Sequence, residues 1–132
     1  GLVGFEARAA TELSAGERTR ALIARALAQQ TPLVMADEPI AGLDPAHQMS
    51  TMQTFCDLTA QGRSVFLSIH DLGLAARYCT RLVLVGEQGI AADGSPGQVL
   101  TPQHLARIFG IEAHLSNGKE GPVFQPLRVL GP

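Results

Sequence analysis

Leu33-Val34-Met35-Ala36-Asp37-Glu38, running on through Pro39-Ile40-Ala41-Gly42-Leu43-Asp44-Pro45, is the stretch whose reading decides the fold. Four consecutive apolar residues read as a short strand buried on both faces, as in a parallel sheet, and two acids stand at its carboxyl end. The loop from Pro39 to Pro45 holds a glycine and two prolines. Working outward, Ser14 to Gln30 reads as a helix, with Leu22, Ile23, Ala26 and Leu27 at helical spacing and Ser14 near its start. Thr31-Pro32 ends it, because proline disfavours helical geometry in the residue before it. Downstream, Ala46 to Ala60 reads as a second helix with Met49, Met52, Phe55 and Cys56 on one side. Ser64 to Ile69 is a second buried strand that ends at His70-Asp71, Leu72 to Cys79 a short helix, and Arg81 to Val85 a third strand. Alternating strands and helices predict an α/β layered domain with a mostly parallel sheet, whose ligand-binding edge is at the strands' carboxyl ends.

After Gly86 the pattern changes. Gly89, Gly94 and Gly97 break the chain, Gln103 to Phe109 reads as a helix, Ser116 to Pro122 as a loop, and Val123 to Val129 as a strand interrupted by Pro126. No internal repeat or low-complexity tract is evident.

The 132 residues are 45% hydrophobic and 17% charged, which predicts a packed core rather than disorder. Ten basic and twelve acidic side chains leave a formal charge of −2, against a nucleic-acid binder that works by bulk charge. Two cysteines, Cys56 and Cys79, are too few for a disulfide framework, and read as buried thiols in a reducing compartment. No run of about 18 apolar residues crosses a bilayer, and Gly1 to Glu6 lacks a signal peptide's basic and apolar regions.

Asp37 and Glu38 could hold Mg²⁺ and activate water, though an acidic pair after an apolar run is by itself more often a solvated turn. Leu13-Ser14-Ala15-Gly16-Glu17 offers small residues and a helix N-terminus to an anion, or simply a capping box with Ser14 and Glu17 as its members. His70 could donate to a phosphate oxygen or serve as a hydrogen-bonded structural histidine.

Taken in order, these segments resemble the ATPase subunits of ABC transporters over nearly the whole chain. Leu13 to Glu17 resembles the signature motif, with Ala15 where glycine is usual. Leu33 to Glu38 resembles the Walker B strand, Ile40 to Asp44 the D-loop, and His70 the switch histidine. The passages Glu38-Pro39, Leu43-Asp44-Pro45, Gly94-Ser95-Pro96 and Leu100-Thr101-Pro102 are most similar to importers of iron-siderophore, haem or cobalamin type. The resemblance implies a P-loop NTPase-like fold and an ATP-hydrolysing translocase that uses ATP and Mg²⁺. It implies Asp37 as the Mg²⁺ ligand through water, Glu38 as general base, and His70 at the γ-phosphate. Ser14, Ala15, Gly16, Glu17 and Asp44 would lie at nucleotide bound across a head-to-tail dimer, and the methyl of Ala15 would crowd the phosphate. Expected partners are a second ATPase subunit, transmembrane permease subunits and, indirectly, a substrate-binding protein, with no nucleic acid. The expected location is the cytoplasmic face of the membrane.

Within these 132 residues no GxxxxGK[ST] phosphate loop occurs: Gly118-Lys119 is followed by Glu120 and has Ala113 where the first glycine belongs. The resemblance therefore implies the C-terminal half of an ABC ATPase, without its phosphate loop. Residues 1–30 would end the helical subdomain and carry the signature helix, 31–86 the Walker B, D-loop and switch-histidine core, and 87–132 a C-terminal extension. In isolation such a piece is not expected to hydrolyse ATP, and its uncovered strands should make it associate. A competing reading is a non-catalytic module that dimerises with a complete ATPase. An ABC ATPase of DNA-repair type is disfavoured by charge. A metal-dependent hydrolase built on Asp37, Glu38 and His70 lacks ligand spacing such as HExxH, and His47, His104 and His114 read as solvated or satisfied.

Overall fold

A computed structural model describes Gly4, residues 7–119 and residues 121–131; of the opening stretch 1–6 only Gly4 is described, and the side chains of Ala10 and Ala15 lie outside it. The described residues fall into two compact units, one ending at His70 and the other beginning at Asp71.

In the first unit, helix α1 spans Ala15–Ala28, strand β1 Leu33–Ala36, helix α2 Pro45–Ala60 and strand β2 Ser64–Leu67. Each helix starts where the sequence supplies a cap. Ser14 accepts from the Glu17 amide at the head of α1, and Asp44 accepts from the His47 amide at the head of α2, where Pro45 needs no donor partner. Strands β1 and β2 pair in parallel, Leu33 with Ser64 through Ala36 with Leu67. The second strand is two residues shorter than the sequence reading, which ran to Ile69. Arg63 ties the strand entrances together, its Nε donating to the Thr31 carbonyl at 2.9 Å.

Val34, Ile40, Met52, Phe55 and Leu58 are buried in this unit. The inward face of α2 is therefore Thr51, Met52, Phe55 and Leu58, while Met49 is 43% exposed and Cys56 half-buried, a correction to the stripe expected from spacing. Helix α1 likewise turns Leu22 outward, with Ile23, Ala26 and Leu27 half-buried. On the other face of β1 and β2, Leu33, Met35 and Phe66 are exposed, so these strands carry apolar residues on both faces but are covered on one.

The second unit holds helix α3 (Leu72–Tyr78), strands β3 (Leu82–Gly86) and β4 (Gly89–Gly94), helix α4 (Pro96–Val99), helix α5 (Pro102–His104) continuing as a π turn over Leu105–Phe109, and strands β5 (Ile111–Gly118) and β6 (Gly121–Val129). The strand expected over Arg81 to Val85 is present, and it pairs antiparallel with β4, which the glycines at both of its ends had concealed. The loop expected over Ser116 to Pro122 is instead the tip of the β5–β6 hairpin. Gly121, at φ 110°, supplies the backbone freedom for a tight reversal. Pro126 does not interrupt β6, because it faces Ala113 beside a register shift at Glu112 and Ala113, where a missing amide costs little. Ala76, Leu100 and Leu105 form this unit's core, with Leu82, Ile111, Leu115 and Phe124 packed against them.

Candidate functional site

The carboxyl ends of β1 and β2 gather Asp37, Glu38, Ser68 and His70. The parallel register that pairs Ala36 with Leu67, carried one step on, sets Asp37 opposite Ser68. The ladder itself continues there, since the Ser68 amide donates to the Ala36 carbonyl at 3.1 Å. The Ser68 hydroxyl donates to Oδ1 of Asp37 and accepts from the Glu38 amide, the latter at 2.9 Å. Glu38 has φ 44°, in the left-handed region that costs a non-glycine residue about 1–3 kcal/mol and that it keeps only where its surroundings impose it. Its carbonyl accepts from the Ala41 amide at 3.1 Å, the first of two turns that carry the chain through Ile40 and Gly42 to Asp44.

With its backbone so turned, Glu38 reaches across to His70, whose ring Nε2–H donates to Oε1 at 2.7 Å. Both side chains are open to water, 85% for His70 and 47% for Glu38, so the pair adds little to stability. Its interest is chemical: a carboxylate oxygen and an imidazole nitrogen converge beside a second carboxylate, at the sheet edge where α/β folds bind ligands. Among the described residues no cluster of three His, Cys, Asp or Glu side chains could cage a metal. A lone carboxylate suits Mg²⁺, which keeps waters and shares its shell with substrate phosphates.

The other expected site residues form two separate groups. Ser14 and Glu17 close a reciprocal capping box, the Glu17 amide donating to Ser14 Oγ at 3.3 Å and the Ser14 amide to Glu17 Oε2 at 2.8 Å. The backbone and side-chain bonds from Ser14 hold the Glu17 carboxyl below its usual range. A methyl built on Gly16 would meet only Leu43, at an ordinary 3.7 Å, so the chain's own packing does not demand glycine there. That contact sets the Leu13 to Glu17 segment beside the loop that ends at Asp44. Asp44 caps α2 and takes the His47 ring Nδ1 at 2.5 Å, and these bonds from His47 hold its carboxyl below the usual range. His104 is structural: its Nδ1 bonds the Val99 carbonyl at 2.8 Å.

Ser68 was not singled out from sequence, and His47, read there as solvated or satisfied, was not named as the partner of Asp44. The signal for Ser68 was the strand register, which places it level with Asp37; the signal for His47 was its position three residues after an aspartate N-cap.

The family model for the ABC transporter matches residues 1–41. The cobalamin import ATP-binding protein BtuD of Halobacterium salinarum is 47% identical over 110 residues, covering 83% of this chain and 28% of the relative. The hemin import ATP-binding protein HmuV of Bordetella avium is 44% identical over 110 residues, 77% of this chain and 42% of the relative. The chain thus spans less than half the length of these curated relatives. Among solved structures, a transporter described as of metal-chelate type, in an inward-facing conformation, superposes with a TM-score of 0.81 at 28% identity, over 92% of this chain and 50% of its own. A dimeric bacterial ABC transporter cassette superposes with a TM-score of 0.60 at 28% identity, over 66% of this chain and 38% of its own. The fold is that of these cassettes, and the chain belongs to the ATP-binding subunits of ABC transporters, fitting the C-terminal half of such a subunit.

Proposed function

We propose that this chain is the water-activating part of an ATPase subunit that powers import of an iron chelate, haem or cobalamin. The observation that carries the reading is the 2.7 Å approach of His70 to Glu38 beside Asp37, at the carboxyl ends of paired parallel strands. Asp37 would hold Mg²⁺ through water, an ion that when bound would supply charge neutralisation to the phosphoryl group. Glu38 orients and polarises the attacking water, and His70, exposed at the same strand ends, contacts the γ-phosphate. Ser14 and Gly16 present the N-terminus of α1 to nucleotide held by a second ATPase subunit, with Asp44 at the seam. Permease subunits and, through them, a substrate-binding protein complete the assembly. The subunit is peripheral to the membrane's inner face; no helix among the described residues is long and apolar enough to cross it.

A second reading, a module that binds a complete ATPase without turning over ATP, makes a different prediction. Mg²⁺-dependent ATP hydrolysis, measured on the 132-residue chain and on the full-length gene product, separates the two. The hydrolytic reading expects an inactive chain and an active full-length protein; an inactive full-length protein that still binds a complete ATPase contradicts it.

A further inference from the structure

We infer that Ser68 is a positioning residue for the acidic pair, acting through Asp37 and Glu38 rather than on any ligand. Its effect on turnover rests on the hydrolytic reading above, whereas the positioning itself rests on geometry. A serine hydroxyl carries one proton and two lone pairs. Here the proton goes to Asp37 Oδ1 and a lone pair takes the Glu38 amide at 2.9 Å, so one oxygen anchors both acids. Ser68 is itself pinned to the neighbouring strand, its amide donating to the Ala36 carbonyl at 3.1 Å. The oxygen therefore stands at a fixed place relative to β1, and the peptide between Asp37 and Glu38 is oriented against it.

That orientation matters because Glu38 sits at φ 44°, a conformation a glutamate keeps only where its surroundings impose it. The Ser68 bond fixes the amide side of this residue and the Ala41 bond its carbonyl side. From this turned backbone the carboxylate reaches His70 at 2.7 Å. Without the hydroxyl, the Glu38 backbone loses one of its two anchors, Asp37 loses a donor, and Glu38 Oε1 no longer has a fixed origin. Threonine keeps the oxygen and suits a strand end; valine has the same shape without it.

The test compares Ser68→Thr with Ser68→Val and Ser68→Ala in two measurements. By NMR on the chain, the Glu38 amide should exchange about tenfold faster or more in the valine and alanine variants, with the Met35 amide unchanged and threonine like wild type. In the full-length gene product, kcat for ATP should fall about tenfold in the same two variants at nearly constant KM, with threonine restoring it. Unchanged Glu38 exchange overturns the inference. So does an unchanged kcat where Glu38→Gln abolishes turnover, or a loss shared by the threonine variant. If Glu38→Gln leaves turnover intact, the hydrolytic reading fails instead, and the exchange measurement alone decides whether Ser68 positions the pair.

Discussion

The ring Nε2 of His70 lies 2.7 Å from Oε1 of Glu38, two side chains 32 positions apart in sequence that meet because β1 and β2 end side by side. Neither is caged by other groups, so each is free to exchange its partner for a ligand. Replacing His70 by alanine in the full-length gene product should lower ATP turnover by about 10²-fold or more, within the range for a positioned proton-transfer or phosphate-contacting group. Thermal stability should hardly change, because the pair is solvent-exposed. Turnover within a factor of about two of wild type would remove His70 from the reaction.

The first unit's core turns on α2, where Met52 is 1% exposed. Met52→Ala should destabilise the fold by about 2–5 kcal/mol through lost contacts and a residual cavity, read by urea or thermal unfolding. A cost below about 1 kcal/mol would mean that α2 packs less tightly than its burial indicates.

How far the sequence reading reached depends on what kind of information each element needed. Strand β1 and the turn to Asp44 were legible because an apolar run followed by acids, glycine and proline has few alternatives, and both helix starts carried cap residues. The inward side of α2 was legible in part: Met52 and Phe55 turn in as their spacing indicated, but Met49 and Cys56 do not, because Leu58 is equally apolar and only packing decides which residues turn in. Strand β4, Gly-Ile-Ala-Ala-Asp-Gly, carries glycine at both ends, and its pairing with β3 is a tertiary fact that local propensity does not contain. At the candidate site, Asp37, Glu38 and His70 were singled out by residue type, and the structure brings them together. Ser68 was hidden because its bonds to the acidic pair come from register, a relation between two strands.

Among the described residues, three carboxyls are held below their usual range: Asp44 by the His47 side-chain and backbone bonds, Glu17 by the Ser14 bonds, and Asp93 by the Arg81 guanidinium. A depressed folded pKa contributes stability that is fully present above the unfolded value, near 4, and is lost as pH falls through the folded value. The melting temperatures of wild type and Asp44→Ala should therefore converge as pH drops from about 5 to below about 3. A gap that stays constant over that range would separate Asp44 from the acid dependence.

On the uncovered face of β1 and β2, Met35 is 67% and Phe66 56% exposed, with Leu33 alongside. An apolar sheet face of this kind favours association. Light scattering of the purified chain should show self-association, and Met35→Gln with Phe66→Gln should shift it towards monomer. A monodisperse wild-type monomer would count against this.

The central claim, that Glu38 activates water for ATP hydrolysis, is tested most directly by Glu38→Gln in the full-length gene product, with ATP binding and turnover measured on the same preparation. The amide keeps the size and a hydrogen-bonding oxygen but cannot take a proton. The account predicts that turnover falls by about 10²–10⁴-fold while ATP affinity holds within about threefold. Turnover close to wild type, or an equal loss of binding and turnover, would contradict it.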